Sequence, residues 1–295
     1  MQTGIHSIAP TLAIILSCLC LTGCGKPSST PSPGSTAPRV ASLAPSITEI
    51  ICALDASGQL IGRSTACDYP PDIVASIPII GAFGVPSMER LLSHKPDIAF
   101  FTDLADNDVP SRLRAAGITP VHVQCNRLDE VPSAIRTVGQ WLHRQPQAAT
   151  LAAAMESSIA EYRARIPPEP QQPRVLVLIW HDPLTAAGSK SFLTELITLA
   201  GGRNVADDIA RDYFPVSGEW VVSRNPDVIF CFFMSSGTAA RDVVLRRPGW
   251  QNIKAIRTER VYDGMDNNLI LRPGPRMMQG VEAMQQRLRE SNGKP

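Results

Sequence analysis

Histidine, cysteine and carboxylate side chains carry most catalysis and metal binding, and here they are scattered. The histidines are His6, His94, His122, His143 and His181. None stands in the HxH, HxxxH or HExxH spacing that turns two imidazoles onto one metal. Folding that brought His122 and His181 to a shared carboxylate would make a zinc or manganese site. No GxSxG elbow presents a serine nucleophile. Gly188-Ser189-Lys190-Ser191 is similar to a phosphate loop but lacks the upstream glycine. It reads as a strand-to-helix turn whose amides are candidates for holding an anion. With no paired carboxylates and no nucleophile–base pair at a readable spacing, the chain is expected not to be an enzyme.

Other segments offer binding chemistry. Gly81-Ala82-Phe83-Gly84 sets an aromatic between glycines, and Asp68-Tyr69-Pro70-Pro71 sets another in a turn. Trp180-His181-Asp182-Pro183 and Asp212-Tyr213-Phe214-Pro215 each pair aromatics with an acid. Asp266-Asn267-Asn268 and Arg272-Pro273-Gly274-Pro275-Arg276 precede the last helix pattern. Large flat groups with Asn and Arg suit a bulky planar ligand with polar edges. Partial core is the competing role of each aromatic, and ion pairing that of Arg272 and Arg276.

The elements that must position these residues alternate. Strand patterns fall at 40–43, 59–63, 97–101 and 120–123, then at 175–180, 228–233 and 260–262. Helical patterns fall near 46–56, 87–95, 108–117, 189–200, 238–246 and 275–290. Such alternation predicts an α/β fold with two Rossmann-like lobes and mostly parallel sheets. Between the sets, residues 128–166 are helical in pattern, and Pro146 must kink or divide them. This stretch predicts a long spine helix. The division is an N-terminal lobe over 39–127, a connecting spine over 128–170 and a C-terminal lobe over 171–295.

An internal repeat supports two lobes. SMERLLSHKPDIAF at 87–100 matches SGEWVVSRNPDVIF at 217–230, and Arg39-Val40 matches Arg174-Val175. Ser87 and Ser217 are N-cap types, and Glu89 and Glu219 fall in the first turn, where the helix dipole favours a carboxylate. Capping alone would account for both acids. The alternative is that each lobe displays one acid at an equivalent surface point, for a two-fold symmetric partner.

The ends and composition set the context. Residues 8–21 are mostly apolar, short of the ~20 needed to span a bilayer, and fit a signal h-region. Leu21-Thr22-Gly23-Cys24 follows. Residues 25–38, GKPSSTPSPGSTAP, have too little apolar surface to fold and read as a solvated tether. Hydrophobic residues are 44% and charged residues 19%, enough for a core and too little charge for a disordered chain. The net charge of +1 gives no case for nucleic acid. Cys52, Cys67, Cys125 and Cys231 lie beyond the signal, and the sequence cannot choose among their pairings or exclude plain buried thiols.

Taken together, LTGC at 21–24, the tether, two lobes and a connecting helix resemble the periplasmic substrate-binding proteins of ABC importers. The likeness is to the helical-spine subgroup serving cobalamin, haem and ferric siderophores, and most to its cobalamin-binding members. Its marks are RVASLAPSITEI at 39–50, the Asp68-Tyr69-Pro70-Pro71 turn, SMERLLSHKPD at 87–97, VSGEWVVSRNPD at 216–227 and RPGPR at 272–276. The resemblance implies a lipoprotein signal over 1–23, lipid on Cys24 at the head of a tether over 24–38, and a periplasm-facing protein. With Gly25 after the cysteine, the outer membrane is favoured. It implies a monomer without cofactor or metal of its own, which captures cobalamin or a related corrinoid between its lobes. Phe83, Tyr213, Asn268 and Arg272 match ligand-contact places, the first two as aromatics replacing Trp and Asn268 replacing Asp. Tyr69 and Trp180 lie near such places, whereas Thr102 and Ala66 stand where the family has aromatics. Glu89 and Glu219 match the acids that dock onto arginines of the permease dimer, which works with its ATPase subunits.

Overall fold

The computed structural model describes residues 37–104, 106–233 and 239–290. The signal, Cys24 and the tether as far as residue 36 lie outside the described residues.

In the N-terminal lobe the chain runs β1 (Val40–Ser42), α1 (Pro45–Ala53), β2 (Leu60–Arg63), α2 (Pro71–Val74), β3 (Gly81–Ala82), β4 (Val85–Pro86), α3 (Met88–His94), β5 (Ile98–Phe101), α4 (Val109–Ala115) and β6 (Thr119–His122). Four strands form a wholly parallel sheet, ordered β2-β1-β5-β6. Buried side chains on both faces explain the continuous apolar runs: Val40, Ile98 and Phe100 enter one core, Ala41, Ala99 and Phe101 another. The short antiparallel β3–β4 hairpin was not foreseen in the alternation. Gly81 makes it possible: its φ is +148°, and a Cβ there would stand 2.6 Å from the Pro86 Cα.

The expected spine is two helices, α5 (Glu130–Trp141) and α6 (Gln145–Ala164). The stretch is divided rather than kinked: His143, at φ 56°, turns the chain back, and Pro146 occupies the first turn of α6, where it costs no hydrogen bond. Ion pairs Asp129–Arg163 and Arg136–Glu156 show the antiparallel register. Gly139 lets the helices meet, since a Cβ there would fall 2.3 Å from that of Ala148. Ala148, Ala152, Met155 and Ile159 bury one face of α6 at helical spacing. At ~1.5 Å per residue this 20-residue helix is about 30 Å long.

The C-terminal lobe contains β7 (Arg174–His181), β8 (Leu184–Ala187), α7 (Phe192–Leu199), β9 (Arg203–Asn204), β10 (Tyr213–Pro215), α8 (Gly218–Arg224), β11 (Val228–Cys231), α9 (Ala240–Leu245), α10 (Lys254–Arg257), β12 (Val261–Tyr262), α11 (Asn267–Ile270) and α12 (Met277–Arg289). The sheet order is β10-β8-β7-β11-β12, with β9 also on β7. Pairing is parallel among β7, β9, β11 and β12, but β8 pairs antiparallel with both β7 and β10. A single core runs from the first sheet through the spine to the second, taking in Val40, Ile135, Met155, Val177 and Met284. Sheets, spine and helices belong to one compact unit.

The sequence repeat is a structural one. Ser87 accepts from the Arg90 amide and Ser217 from the Trp220 amide, each cap being worth about 1 kcal/mol. Lys95 (φ 50°) and Asn225 (φ 44°) end the helices left-handed, just before Pro96 and Pro226. The Asp97 carboxylate then accepts the Arg39 amide at 2.8 Å, as Asp227 accepts that of Arg174 at 2.7 Å.

Candidate ligand-binding cleft

A cleft of about 820 Å³ lies where the lobes face each other. From the N-terminal lobe it is lined at the carboxyl ends of parallel strands, by Ser46 after β1, Thr102 and Asp103 after β5, and Cys125 and Asn126 after β6. That is where open α/β sheets hold ligands, because crossover connections diverge there. The β3–β4 turn adds Phe83, which is 48% exposed. The C-terminal lobe contributes Phe192, Asp212, Tyr213, Asn268, Arg272 and Pro273, with Tyr213 45% exposed. The Cys125 thiol donates to the Pro273 carbonyl at 3.1 Å, joining the lobes at the lining.

Four of the expected contact residues, Phe83, Tyr213, Asn268 and Arg272, therefore share one cleft. Tyr69 and Trp180 lie outside its lining. The Tyr69 ring sits 3.5 Å from the Arg276 guanidinium, and the Trp180 indole donates to the Asp182 carbonyl at 2.8 Å. His122 stacks near Phe101 and His181 between Trp180 and Phe233, and no metal-holding cluster occurs among the described residues. The Gly188–Ser191 turn has no amides left for an anion. Gly188, Ser189 and Lys190 donate to Asp212, Ile209 and Arg211, and Ser191 to Gly188 itself. Cys52, Cys67, Cys125 and Cys231 are free thiols.

Arg272 is held from behind by the other lobe. Its Nη1 and Nη2 donate to Asp68 at 2.5 and 3.1 Å. The Asp68 carboxyl is held below the ordinary aspartate value, first by this side-chain hydrogen bonding. Arg276 donates from Nε and Nη2 to Glu49 at 2.8 and 2.7 Å, and Glu49 also lies 3.6 Å from Arg272. Two carboxylates of the N-terminal lobe thus grip two guanidiniums of the C-terminal lobe. The pairing has no local signal in the sequence, for its partners stand 204 and 227 positions apart. A further contact joins α7 to the start of the spine: Glu195 accepts the Leu128 amide at 2.6 Å and pairs with Arg127.

Glu89 and Glu219 are exposed in the first turns of α3 and α8. Serine, not glutamate, caps each helix, and neither acid has an ion-pair or side-chain hydrogen-bond partner among the described residues. Leu92 and Val222, three positions further on, are exposed too. The aromatics belong to the same repeat: Phe83 precedes Glu89, and Tyr213 precedes Glu219, by the same spacing. In each lobe a cleft aromatic and a surface acid are therefore joined by one short strand and a capped turn.

An aromatic and amide-lined cleft between two helically braced α/β lobes has the build of a small-molecule receptor. The chain belongs to the periplasmic binding protein family, whose profile matches residues 40–267. It is 29% identical over 253 residues to an uncharacterized ABC transporter substrate-binding lipoprotein, YvrC, of Bacillus subtilis, covering 83% of this chain and 78% of that one. It is 25% identical over 261 residues to the vitamin B12-binding protein of Pectobacterium atrosepticum, covering 85% and 88%. Among solved structures, the apo form of the periplasmic heme-binding protein RhuT from Roseiflexus sp. RS-1 matches with a TM-score of 0.78 and 29% identity, over 87% of this chain and all of that one. Among the described residues no helix is long and apolar enough to cross a membrane.

Proposed function

We propose that this protein is the solute-capturing subunit of an ABC importer, taking cobalamin or a related corrinoid between its lobes and delivering it to a permease dimer with its ATPase subunits. The observation that carries the reading is the duplicated unit of cleft aromatic, serine cap and exposed acid without a side-chain partner among the described residues, Phe83-Ser87-Glu89 and Tyr213-Ser217-Glu219. One half of the unit suits stacking on a macrocycle and the other suits a basic, two-fold partner. The likeness to a vitamin B12-binding protein supports the corrinoid, and the likeness to an ABC substrate-binding lipoprotein supports the importer. Lipid on Cys24, a periplasmic site and the outer membrane as the anchor belong to the same proposal. The protein does no chemistry on its cargo; its relatives are binding proteins. The inter-lobe grip and the spine hairpin keep lobe closure small.

Calorimetric titration with cyanocobalamin tests the ligand: heat at micromolar concentration is expected, and none removes the corrinoid. Haem is the second reading, with a ferric siderophore beside it. It is favoured by the likeness to RhuT and by the Tyr213 phenol, a group able to ligate ferric iron. The absorption spectrum of the protein as isolated separates red corrinoid from haem.

A further inference from the structure

Among the described residues, three charged side chains line the cleft. Asp103 follows β5, Asp212 stands at the head of β10, and Arg272 follows α11. Both aspartates are exposed and have no side-chain partner among the described residues. Arg272 is only 14% exposed, and its charge is consumed: Asp68 takes two of its N–H groups, with Glu49 3.6 Å away. Glu49 in turn is shared with Arg276. This grip contains two positive and two negative groups and cancels. Among the described residues, what faces a ligand is one unneutralised carboxylate from each lobe. A carboxylate only accepts hydrogen bonds, so it is satisfied by an amide N–H and repelled by a second carboxylate, the more so in a cleft with low-dielectric walls.

We infer that the cleft selects its ligand by the charge of the ligand's rim, admitting a macrocyclic chelate edged with neutral amides and rejecting one edged with carboxylates, and that Asp68 sets this preference by occupying Arg272. The inference rests on the proposed function and adds the specificity-determining residues, Asp68, Asp103 and Asp212. Amide side chains of a corrinoid meet the requirement, whereas the paired carboxylates of haem do not.

The test is calorimetric titration of the full chain with cyanocobalamin and with a derivative whose side-chain amides are hydrolysed to acids. The wild type is expected to prefer the amide form by at least about tenfold. Asp103→Asn with Asp212→Asn, both on exposed loops, should shrink that ratio to within about threefold, and Asp68→Asn should lower it independently by freeing Arg272. Equal affinity of the wild type for the two forms, or a ratio unmoved in both variants, overturns the inference while leaving a corrinoid receptor standing. If cyanocobalamin does not bind and haemin does, the corrinoid reading falls and the charge rule falls with it. Melting curves of each variant confirm that a changed ratio does not come from unfolding.

Discussion

Glu49, 4% exposed on α1, accepts hydrogen bonds from both Nε and Nη2 of Arg276, so that one buried fork joins the first helix of one lobe to the last helix of the other. Removing one member of a buried pair leaves the other desolvated and uncompensated, at a cost of about 3 kcal/mol. Glu49→Ala is therefore expected to lower stability by that amount in chemical denaturation. Arg276→Met in the same background should cost little more, because the two residues act as a unit. Additive losses would show that they do not.

Charge reversal at both Glu89 and Glu219 is expected to abolish ligand uptake by reconstituted importer vesicles and to leave ligand affinity unchanged. Neither side chain is tied to the fold among the described residues, so reversal costs the lobes little. Leu92→Ser with Val222→Ser should weaken docking as well, since these exposed apolar residues flank the acids. Lost ligand affinity in the charge-reversed protein would mean that the acids serve the lobes rather than a partner.

Phe83→Ala and Tyr213→Ala are each expected to weaken ligand binding by roughly tenfold, about 1.4 kcal/mol, through lost ring contact. Both rings are half-exposed, so melting temperatures should barely move. Isothermal titration beside a thermal melt separates the two effects. Trp180→Phe should leave affinity unaltered, since its indole turns to the Asp182 carbonyl outside the lining.

The Asp68–Arg272 pair makes stability depend on pH. Hydrogen bonding to Arg272 lowers the Asp68 pKa in the folded state, so the unfolded chain binds the proton more readily. The pair's contribution is therefore full above the unfolded value, about 3.9, and is lost as pH falls through the lower folded value. The stability gap between wild type and Asp68→Asn should be constant at neutral pH and close only in strong acid. A gap closing between pH 5 and 7 would assign the effect to another group.

Burial, with the nearby Glu49 charge, pushes the Cys52 thiol up to about 11, and burial with Glu130 pushes Cys125 up to about 12. The thiolate is the nucleophile, so both should react slowly with iodoacetamide at pH 8 until denaturant is added. Rapid labelling of native protein, located by mass spectrometry, would contradict that.

Two lobes were legible because their signals are local. An α/β alternation is written in runs of a few residues, and a Ser–Glu helix start followed by Pro–Asp and a strand reads the same at 87 and at 217. The spine was legible as helix but not as a hairpin, because the reversal at His143 comes from a positive φ that no glycine announces. The antiparallel pairing of β8 with β7 and β10 was invisible for a related reason: a strand's direction is settled by its partner, and period-two patterning is the same either way.

By itself the sequence determined the duplicated α/β plan, the serine caps, the two surface acids and most of the segments that meet at the cleft, since each depends on side chains within a turn or two of one another. Only the tertiary structure decided that Phe83 and Tyr213 line one space, that Tyr69 and Trp180 turn elsewhere, and that Arg272 is already held by Asp68. Those outcomes depend on burial and on charge pairing between residues some two hundred positions apart, and the free energy of such a pair exists only once the lobes have closed around it.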